Sequence, residues 1–314
     1  MTKIDIRKSV GSIDLTNRFA DLIKFRIPTG IIAFDKILNG GIPAGKLTEI
    51  YGDFSSGKSR IACHILAETQ KLGGLAVLLD TERSLDKGLI DLTGIDIGSL
   101  VYPDPSTMLA TIEDVFKIIT DVMKFREENK TDLLTIVWDS VAATPDMEDL
   151  ENQLGASTAA MRRAKVISDG LKQVMAEVYR TQTCLIFINQ VRDKIGVMYG
   201  EKTETVGGKA LKYTASMRVH VALAGKIKDE DGTKEQIGNK GRMVVDKCKV
   251  GKPFGMVNFD MMIDKPFEKY TGLLDYEVRH GLVEDCGRGW YKYPGDKEKF
   301  RESDFPEIYE KANE

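Results

Sequence analysis

At 314 residues, 42% of them hydrophobic and 30% charged, the chain can bury one large domain or a core with small attachments, which excludes an intrinsically disordered polymer. A formal net charge of −3 excludes a protein that grips polyanions through overall charge and leaves room only for a local basic stripe. No apolar run approaches the ~18 residues that cross a bilayer. The charged opening from Met1 to Lys8 carries no apolar signal core, so no membrane partner and a cytoplasmic location are expected.

In chain order, Leu15, Phe19, Leu22 and Ile23 form one apolar stripe and predict a helix over Ser12–Phe25, broken by the Pro28-Thr29-Gly30 turn. This stripe either docks on another protomer or covers the chain's own core. From residue 30 onward, short apolar runs at Leu47–Tyr51, Leu75–Asp80, Leu133–Asp139 and Cys184–Asn189 alternate with helical stretches near 60–71, 107–127 and 158–180. Such alternation predicts an α/β fold, a mainly parallel sheet flanked by helices on both faces. Met217–Ala224 and Arg242–Lys247 read as further strands joined by a polar turn over Lys228–Lys240. Beyond Pro266 the pattern predicts a short helix over Leu273–His280 and a strand at Trp290–Tyr293, with Trp290 and Tyr291 as hairpin core and a frayed charged end. The expected division is an N-terminal segment over 1–27, a core over 28–265 and a small C-terminal α/β domain over 266–314. Cys63 and Cys184 lie in apolar stretches and read as core thiols, and no cysteine or histidine spacing suggests a metal held by protein side chains alone.

Gly52-Asp53-Phe54-Ser55-Ser56-Gly57-Lys58-Ser59 matches the phosphate-loop pattern G-x-x-x-x-G-K-[ST], and it stands between a predicted strand and a predicted helix. The glycines let backbone N–H groups surround a β-phosphate, Lys58 sets a positive charge on the β and γ oxygens, and Ser59 offers a hydroxyl to Mg2+. Asp139 ends a buried strand and would hold the same ion beside Ser59. Glu82, just past another strand end, is placed to orient and deprotonate an attacking water. Gln190 could hydrogen-bond the γ-phosphate and report its loss. Solvated loop residues remain the alternative reading of Glu82 and Gln190.

At these residues the sequence resembles the RecA family of recombinases, in particular its bacterial and phage members. The run from Asp80 to Asp86 is similar to the segment bearing the catalytic glutamate, which implies that role for Glu82 and a nucleotide contact for Asp86. Leu185–Arg192, Lys194–Gly200 and Gly207–Lys212 resemble the γ-phosphate-sensing Gln and the second DNA-binding loop. That resemblance implies DNA contacts for Arg192, Lys194, Val197, Met198, Gly207, Gly208, Lys209 and Lys212. Glu151–Lys172 resembles the first loop in position and implies the same for Arg162, Arg163 and Lys165, with a solvated helix face as the alternative. Lysines and arginines on such segments hold phosphates without reading bases, and Val197 and Met198 could wedge between bases. Arg242, Lys247 and Lys249 resemble residues that reach a neighbouring subunit's ATP and supply charge in trans. Relatives usually carry a tyrosine against the adenine where this chain has Leu89, which leaves base preference open.

The resemblance implies a RecA-type P-loop core, ATP and Mg2+ as cofactors, and a helical homo-oligomer on single-stranded DNA. It implies pairing of that strand with homologous double-stranded DNA in recombination and repair, with DNA-stimulated hydrolysis. Two other uses of the same core are a ring-forming motor or helicase and an ATP-switched scaffold with little hydrolysis. A ring motor has no need of the Ile195–Gly200 and Gly207–Lys212 pattern, and intact Lys58 and Glu82 argue against a scaffold.

Overall fold

The computed structural model describes residues 24–104, 108–129, 133–151, 159–193, 203–229 and 235–313. The helix expected around Leu15–Ile23 lies outside these residues, as do Lys194, Val197 and Met198.

Among the described residues, fourteen strands run in chain order: β1 Arg26–Ile27, β2 Ile42–Pro43, β3 Lys46–Gly52, β4 Leu75–Asp80, β5 Leu100–Val101, β6 Leu134–Asp139, β7 Cys184–Asp193, β8 Thr203–Thr205, β9 Met217–Lys228, β10 Gln236–Cys248, β11 Met256–Met262, β12 Glu284–Asp285, β13 Trp290–Lys292 and β14 Phe300–Arg301. Nine of them form the central sheet in the order β11-β10-β9-β3-β7-β6-β4-β5, with β8 attached to β7. From β9 to β5 every neighbouring pair is parallel, while β10 and β11 add antiparallel strands at one edge. This is the mixed, mostly parallel sheet of the expected α/β class.

Each inner strand is apolar on both faces because helices cover both. On one face, Ile50, Leu78, Val137, Ile186 and Val219 pack against the helix Lys58–Lys71, the helix Ile32–Ile37 and the C-terminal elements. On the other, Leu47, Leu79, Trp138 and Phe187 pack against the helices Ile112–Asn129 and Ala159–Thr181. Trp138 is fully buried and meets Phe116 and Phe187 edge-on, with ring centroids 5.7 and 4.8 Å away. Cys63 and Cys184 are buried thiols in the first of these layers, and burial pushes both thiol pKa values up.

β12, β13 and β14 form a separate three-stranded sheet near the C-terminus. Its Phe300, together with Leu273, Val283 and Phe305, belongs to the same buried cluster as the central sheet. Arg26 and Ile27 pair with Pro43 and Ile42, and Ile27 is fully buried, so the chain is already part of the core at residue 26.

Several elements differ from the sequence reading. β7 runs on to Asp193 because β8 returns antiparallel and pairs Val191 to Asp193 with Thr205 to Thr203. The β9–β10 hairpin is longer than the alternation suggested, which confines the turn to fewer residues than Lys228–Lys240. β11 was not foreseen, although its residues alternate between buried and less buried positions. Trp290 is 38% exposed, with the Arg301 guanidinium stacked 4.1 Å from its ring, so only Tyr291 of that pair packs inward, against Phe300. The charged end is helical over Phe305–Asn313, anchored by buried Phe305.

Candidate nucleotide site

β3 delivers the chain to Gly52, and the following loop turns into the helix Lys58–Lys71 through Gly57. Gly57 has φ +94°, and a Cβ there would stand 2.7 Å from the Met261 sulfur, so both backbone and space require glycine. The N-terminus of that helix has no side-chain cap, which leaves its first N–H groups aimed into the loop. The Ser56 hydroxyl is buried and has no hydrogen-bond partner. Uncapped N–H groups, an unpaired buried hydroxyl and a lysine at the mouth of a helix fit a polyphosphate.

Lys58 is nearly buried, and its Nζ donates to the Asp53 carbonyl at 2.5 Å. Burial lowers its pKa, and the nearby carboxylates Asp139, Glu82 and Asp53 oppose that shift. Asp139 ends β6, is 3% exposed, and its carboxylate is hydrogen-bonded to Ser59. Burial, reinforced by Glu82 and Asp80, pushes Asp139 up to about 7 against the pull of Ser59 and Lys58. A buried carboxylate beside other carboxylates is stabilised by a nearby cation, and a serine hydroxyl next to it completes a hard-oxygen pair that fits Mg2+. Among the described residues no cluster of three or more His, Cys, Asp or Glu side chains could hold a metal by itself.

Glu82 follows β4 and is held from two sides. Its Oε1 accepts from the Ser140 hydroxyl and, at 2.9 Å, from the Gln190 side-chain amide. The segment that carries it is shaped from below by Asp80, whose oxygens accept from the N–H groups of Ser84 and Leu85 at 3.1 and 2.9 Å and from the Tyr102 hydroxyl at 3.0 Å. Thr81 ties it to β6, because its hydroxyl donates to the carbonyls of Asp139 and Ser140 at 3.1 Å. Sequence reasoning missed Ser140, Thr81 and Asp80; the only signal was their adjacency to Asp139 and Glu82.

These groups converge on one cleft of about 300 Å³. Phe54, Ser55, Ser56, Gly57, Lys58 and Ser59 line one side, and Glu82, Asp139 and Gln190 the other. Leu89 also lines it. Asp86 is not among its lining residues; its carboxylate caps the helix Lys87–Thr93 by accepting from the Leu89 N–H at 2.7 Å.

The basic residues separate into groups. Arg162 is paired with Asp146 at 2.9 Å, with Glu148 at 2.7 Å and also with Asp149, and Arg163 with Asp149 at 2.5 Å. Their charge is spent on a carboxylate cluster of the chain itself. Lys165 is exposed on the same helix. Arg192 is exposed on β7 opposite Glu204. Gly207, with φ +94°, opens a helix over Gly208–Thr214 where a loop was expected, and it sits against Ile167 of the long helix. Lys209, exposed on this helix, and Lys212 line a second cavity of about 410 Å³ with Tyr51, Arg218, His220 and Asp246. The Nζ atoms of Lys247 and Lys249 donate to carbonyls near the end of this helix, Lys212 and Tyr213, at 2.7–3.0 Å. Burial, then the neighbouring Lys249 and Arg218, pulls Lys247 down to about 8. Neither lysine lines the phosphate-loop cleft of its own chain.

The family model described as the RecA N-terminal domain matches residues 2–268. The chain is similar to "Protein RecA" of Heliobacterium modesticaldum, 36% identical over 279 residues that span 88% of this chain and 77% of that protein. It is likewise 38% identical over 272 residues to "Protein RecA" of Methylococcus capsulatus (86% and 74%). With "Protein RecA" of Frankia alni it shares 39% over 272 residues (86% and 75%).

Proposed function

The chain belongs to the RecA family of recombinases, DNA-dependent ATPases of homologous recombination and repair, and on that premise we propose how its residues divide the work. The family binds nucleotide, works on DNA and forms filaments. In our reading the nucleotide is ATP, seated in the cleft over Gly52–Ser59, and the filament forms on single-stranded DNA and pairs it with homologous duplex. The single observation that carries this reading is the convergence of Lys58, Glu82, Asp139 and Gln190 on one cleft.

Lys58 and the uncapped helix N-terminus bind the phosphates. Ser59 and Asp139 would hold Mg2+, which neutralises charge on the phosphate oxygens when bound. Glu82, fixed by Ser140, takes the proton of the attacking water. Gln190 touches Glu82 and faces the same cleft, so one amide reads the γ-phosphate and the base together. Lys247 and Lys249, turned away from their own cleft, act on the nucleotide of an adjacent protomer, so hydrolysis is complete only in the assembly. Arg192, Lys209, Lys212 and the backbone at Gly207 and Gly208 hold DNA phosphates, with Lys165 at their margin. Lys194, Val197 and Met198 extend this surface through residues outside those described. Arg162 and Arg163 join it only if they leave Asp146, Glu148 and Asp149. The segments 1–27, 28–265 and 266–314 act as oligomerisation arm, catalytic core and accessory domain.

The test is ATP hydrolysis with and without single-stranded DNA at several salt concentrations. Strong stimulation that fades as salt rises is expected, and Lys58→Ala should abolish turnover. A rate indifferent to DNA would overturn the reading.

A further inference from the structure

The carboxylates that neutralise Arg162 and Arg163 go beyond what a structural brace requires. Asp146, 1% exposed, already anchors Arg162, accepting from its Nε through both oxygens at 3.1 and 2.9 Å. Asp149 adds a contact of another kind. Its Oδ1 accepts from the Arg162 guanidinium, and its Oδ2 accepts from the Arg163 Nε at 2.5 Å. One carboxylate thus bridges two neighbouring guanidinium groups. The two free oxygens of a phosphodiester offer the same pair of acceptors, on one centre and with the same charge. Burial raises the Asp149 carboxyl, but the hydrogen bond and charge of Arg163 outweigh it and hold the pKa below the ordinary carboxylate value, so the bridge is ionised at neutral pH.

The two sides of this bridge are not equally firm. Arg162 and Arg163 stand on the helix Ala159–Thr181, which buries Ile167, Leu171, Val174 and Val178 in the core. Asp149 stands on the five-residue helix Met147–Glu151, whose Met147 and Leu150 are 50% and 59% exposed, so these apolar side chains do not seat it. Its ties are polar: the Met147 N–H donates to Glu113 at 3.2 Å, and the Asp149 N–H to Asp146 Oδ1 at 2.8 Å. The acid can swing away while the arginines stay in place.

The pair also borders the residues assigned to DNA. A Cβ on Gly208 would stand 3.0 Å from the Cβ of Ala164, the residue after Arg163, and one on Gly207 would stand 3.1 Å from Ile167. The helix that carries Lys209 is therefore seated directly beside the arginines. Asp146, Glu148 and Asp149 set three negative charges against these two positive ones, so the cluster repels phosphate as long as all three carboxylates are in place.

We propose that Arg162 and Arg163 form a seat for a DNA phosphodiester, and that Asp149 occupies this seat in the free protein as a built-in competitor of DNA. The proposal rests on the DNA-dependent ATPase reading above and adds to it a restraint on the DNA site. Arg162 keeps its hold on Asp146 through the exchange, and a phosphate takes both places that Asp149 leaves. While Asp149 is seated, the two arginines release no counterions from DNA, and their contribution is missing from the salt dependence of binding.

The test compares wild type, Asp149→Asn and the double variant Asp149→Asn/Arg163→Ala. Asparagine keeps the size of the side chain and one acceptor but removes the charge. Binding of a fluorescent oligodeoxythymidylate is measured over a range of salt with a slowly hydrolysed ATP analogue present, with thermal unfolding and analogue affinity recorded alongside. Asp149→Asn should bind the oligonucleotide about two- to fivefold more tightly, the scale of one exposed ion pair. Its slope of log K against log salt should steepen by about 0.7, one added phosphate contact. The double variant should lose both gains. Should Asp149→Asn fail to fold, Asp149→Ser is measured in its place with the same expectations. Unchanged or weaker DNA binding by a folded variant overturns the proposal and makes Asp149 a structural brace. A gain that survives in the double variant also overturns it, because the effect is then a general loss of negative charge. Absence of DNA binding by wild type and Asp149→Asn alike instead overturns the functional reading on which the proposal rests.

Discussion

Replacing Glu82 by Gln tests the assignment of the catalytic base with little disturbance of the fold. The hydrogen bonds from Ser140 and Gln190 to the Glu82 side chain both fall on one oxygen, Oε1. A glutamine has one carbonyl oxygen and can present it to the same two donors, with its NH2 turned toward the cleft. Packing, nucleotide binding and the Gln190 contact should therefore survive, and the midpoint of thermal unfolding should stay where it is. What is lost is the lone pair that takes the proton from water. General-base catalysis contributes about 10²–10⁴ in rate, which is about 3–5 kcal/mol of barrier. The assay is DNA-stimulated release of inorganic phosphate at saturating ATP, run beside binding of a fluorescent ATP analogue. A turnover number lower by that factor at unchanged analogue affinity is expected, and because the ATP-bound state then persists, DNA should be retained longer. Turnover within a small factor of wild type would place the base elsewhere. Lost analogue affinity would make Glu82 a structural residue.

Three further outcomes follow from named groups. Lys247, pulled down to about 8 by burial and by Lys249 and Arg218, loses its charge as pH rises through that value; DNA-stimulated turnover should fall over the same range, and Lys247→Arg should carry the plateau to higher pH. Asp35 is raised from 3.8 to about 6 by burial, against hydrogen bonds from the Thr29 N–H and hydroxyl and with a further push from Glu68. With its folded-state pKa above the unfolded value, its contribution to stability is intact below pH 3.8 and is lost as pH rises through about 6. Asp35→Asn keeps the acceptor and should therefore stabilise the protein by up to about 3 kcal/mol above that range, from roughly 1.36 kcal/mol per unit, and by nothing at low pH; urea denaturation at both ends decides it. Finally, exposed Arg192 and the carboxylate-paired Arg162 should differ in salt dependence. Arg192→Ala should lower the slope of log K against log salt for single-stranded DNA by about 0.7, and Arg162→Ala should leave it nearly unchanged.

The parts of the site that were legible in sequence are those built locally. Gly52–Ser59 is a contiguous string whose spacing encodes its own backbone path, and Asp139 and Glu82 were found because one ends and the other closely follows a recognisable apolar run. The parallel sheet was legible for the same reason, since its strands are short apolar runs separated by helical periods. β11 escaped even though Val257, Phe259 and Met261 alternate toward the core, because Asn258 and Asp260 between them made the run look like loop.

What was not legible depends on which distant residues share a face. Glu49, Asn189 and Arg218 lie 140 and 169 positions apart in the bonds they make, and no local pattern joins them. A signal did exist: Glu49 interrupts the apolar run Leu47–Tyr51, and an ionised group inside a strand buried on both faces demands a buried partner. The same limit applies to Arg162 and Arg163. Their basic character was plain, but the carboxylates that claim it belong to the turn and short helix at Asp146–Asp149, and only the fold brings the two together.

The order of strands also explains why such a site would answer to DNA. β3, β7, β6 and β4 are neighbours in that order, so the phosphate loop, Gln190, Asp139 and Glu82 all emerge from adjacent parallel strand ends. Three of these groups have little freedom: Lys58 and Asp139 are buried, and Glu82 is pinned by Ser140. Gln190 differs because its strand does not stop at the cleft. β7 continues through Arg192 to Asp193 and takes up β8, so the strand that carries Gln190 is also the base of the ribbon that carries exposed Arg192. A strand end of this length can be tilted from outside, whereas Asp139 at the end of β6 cannot be moved without unpacking Trp138. Of these four strands β7 alone runs on beyond the cleft, and Asn189 is buried at the point on it where the buried and the extended portions meet.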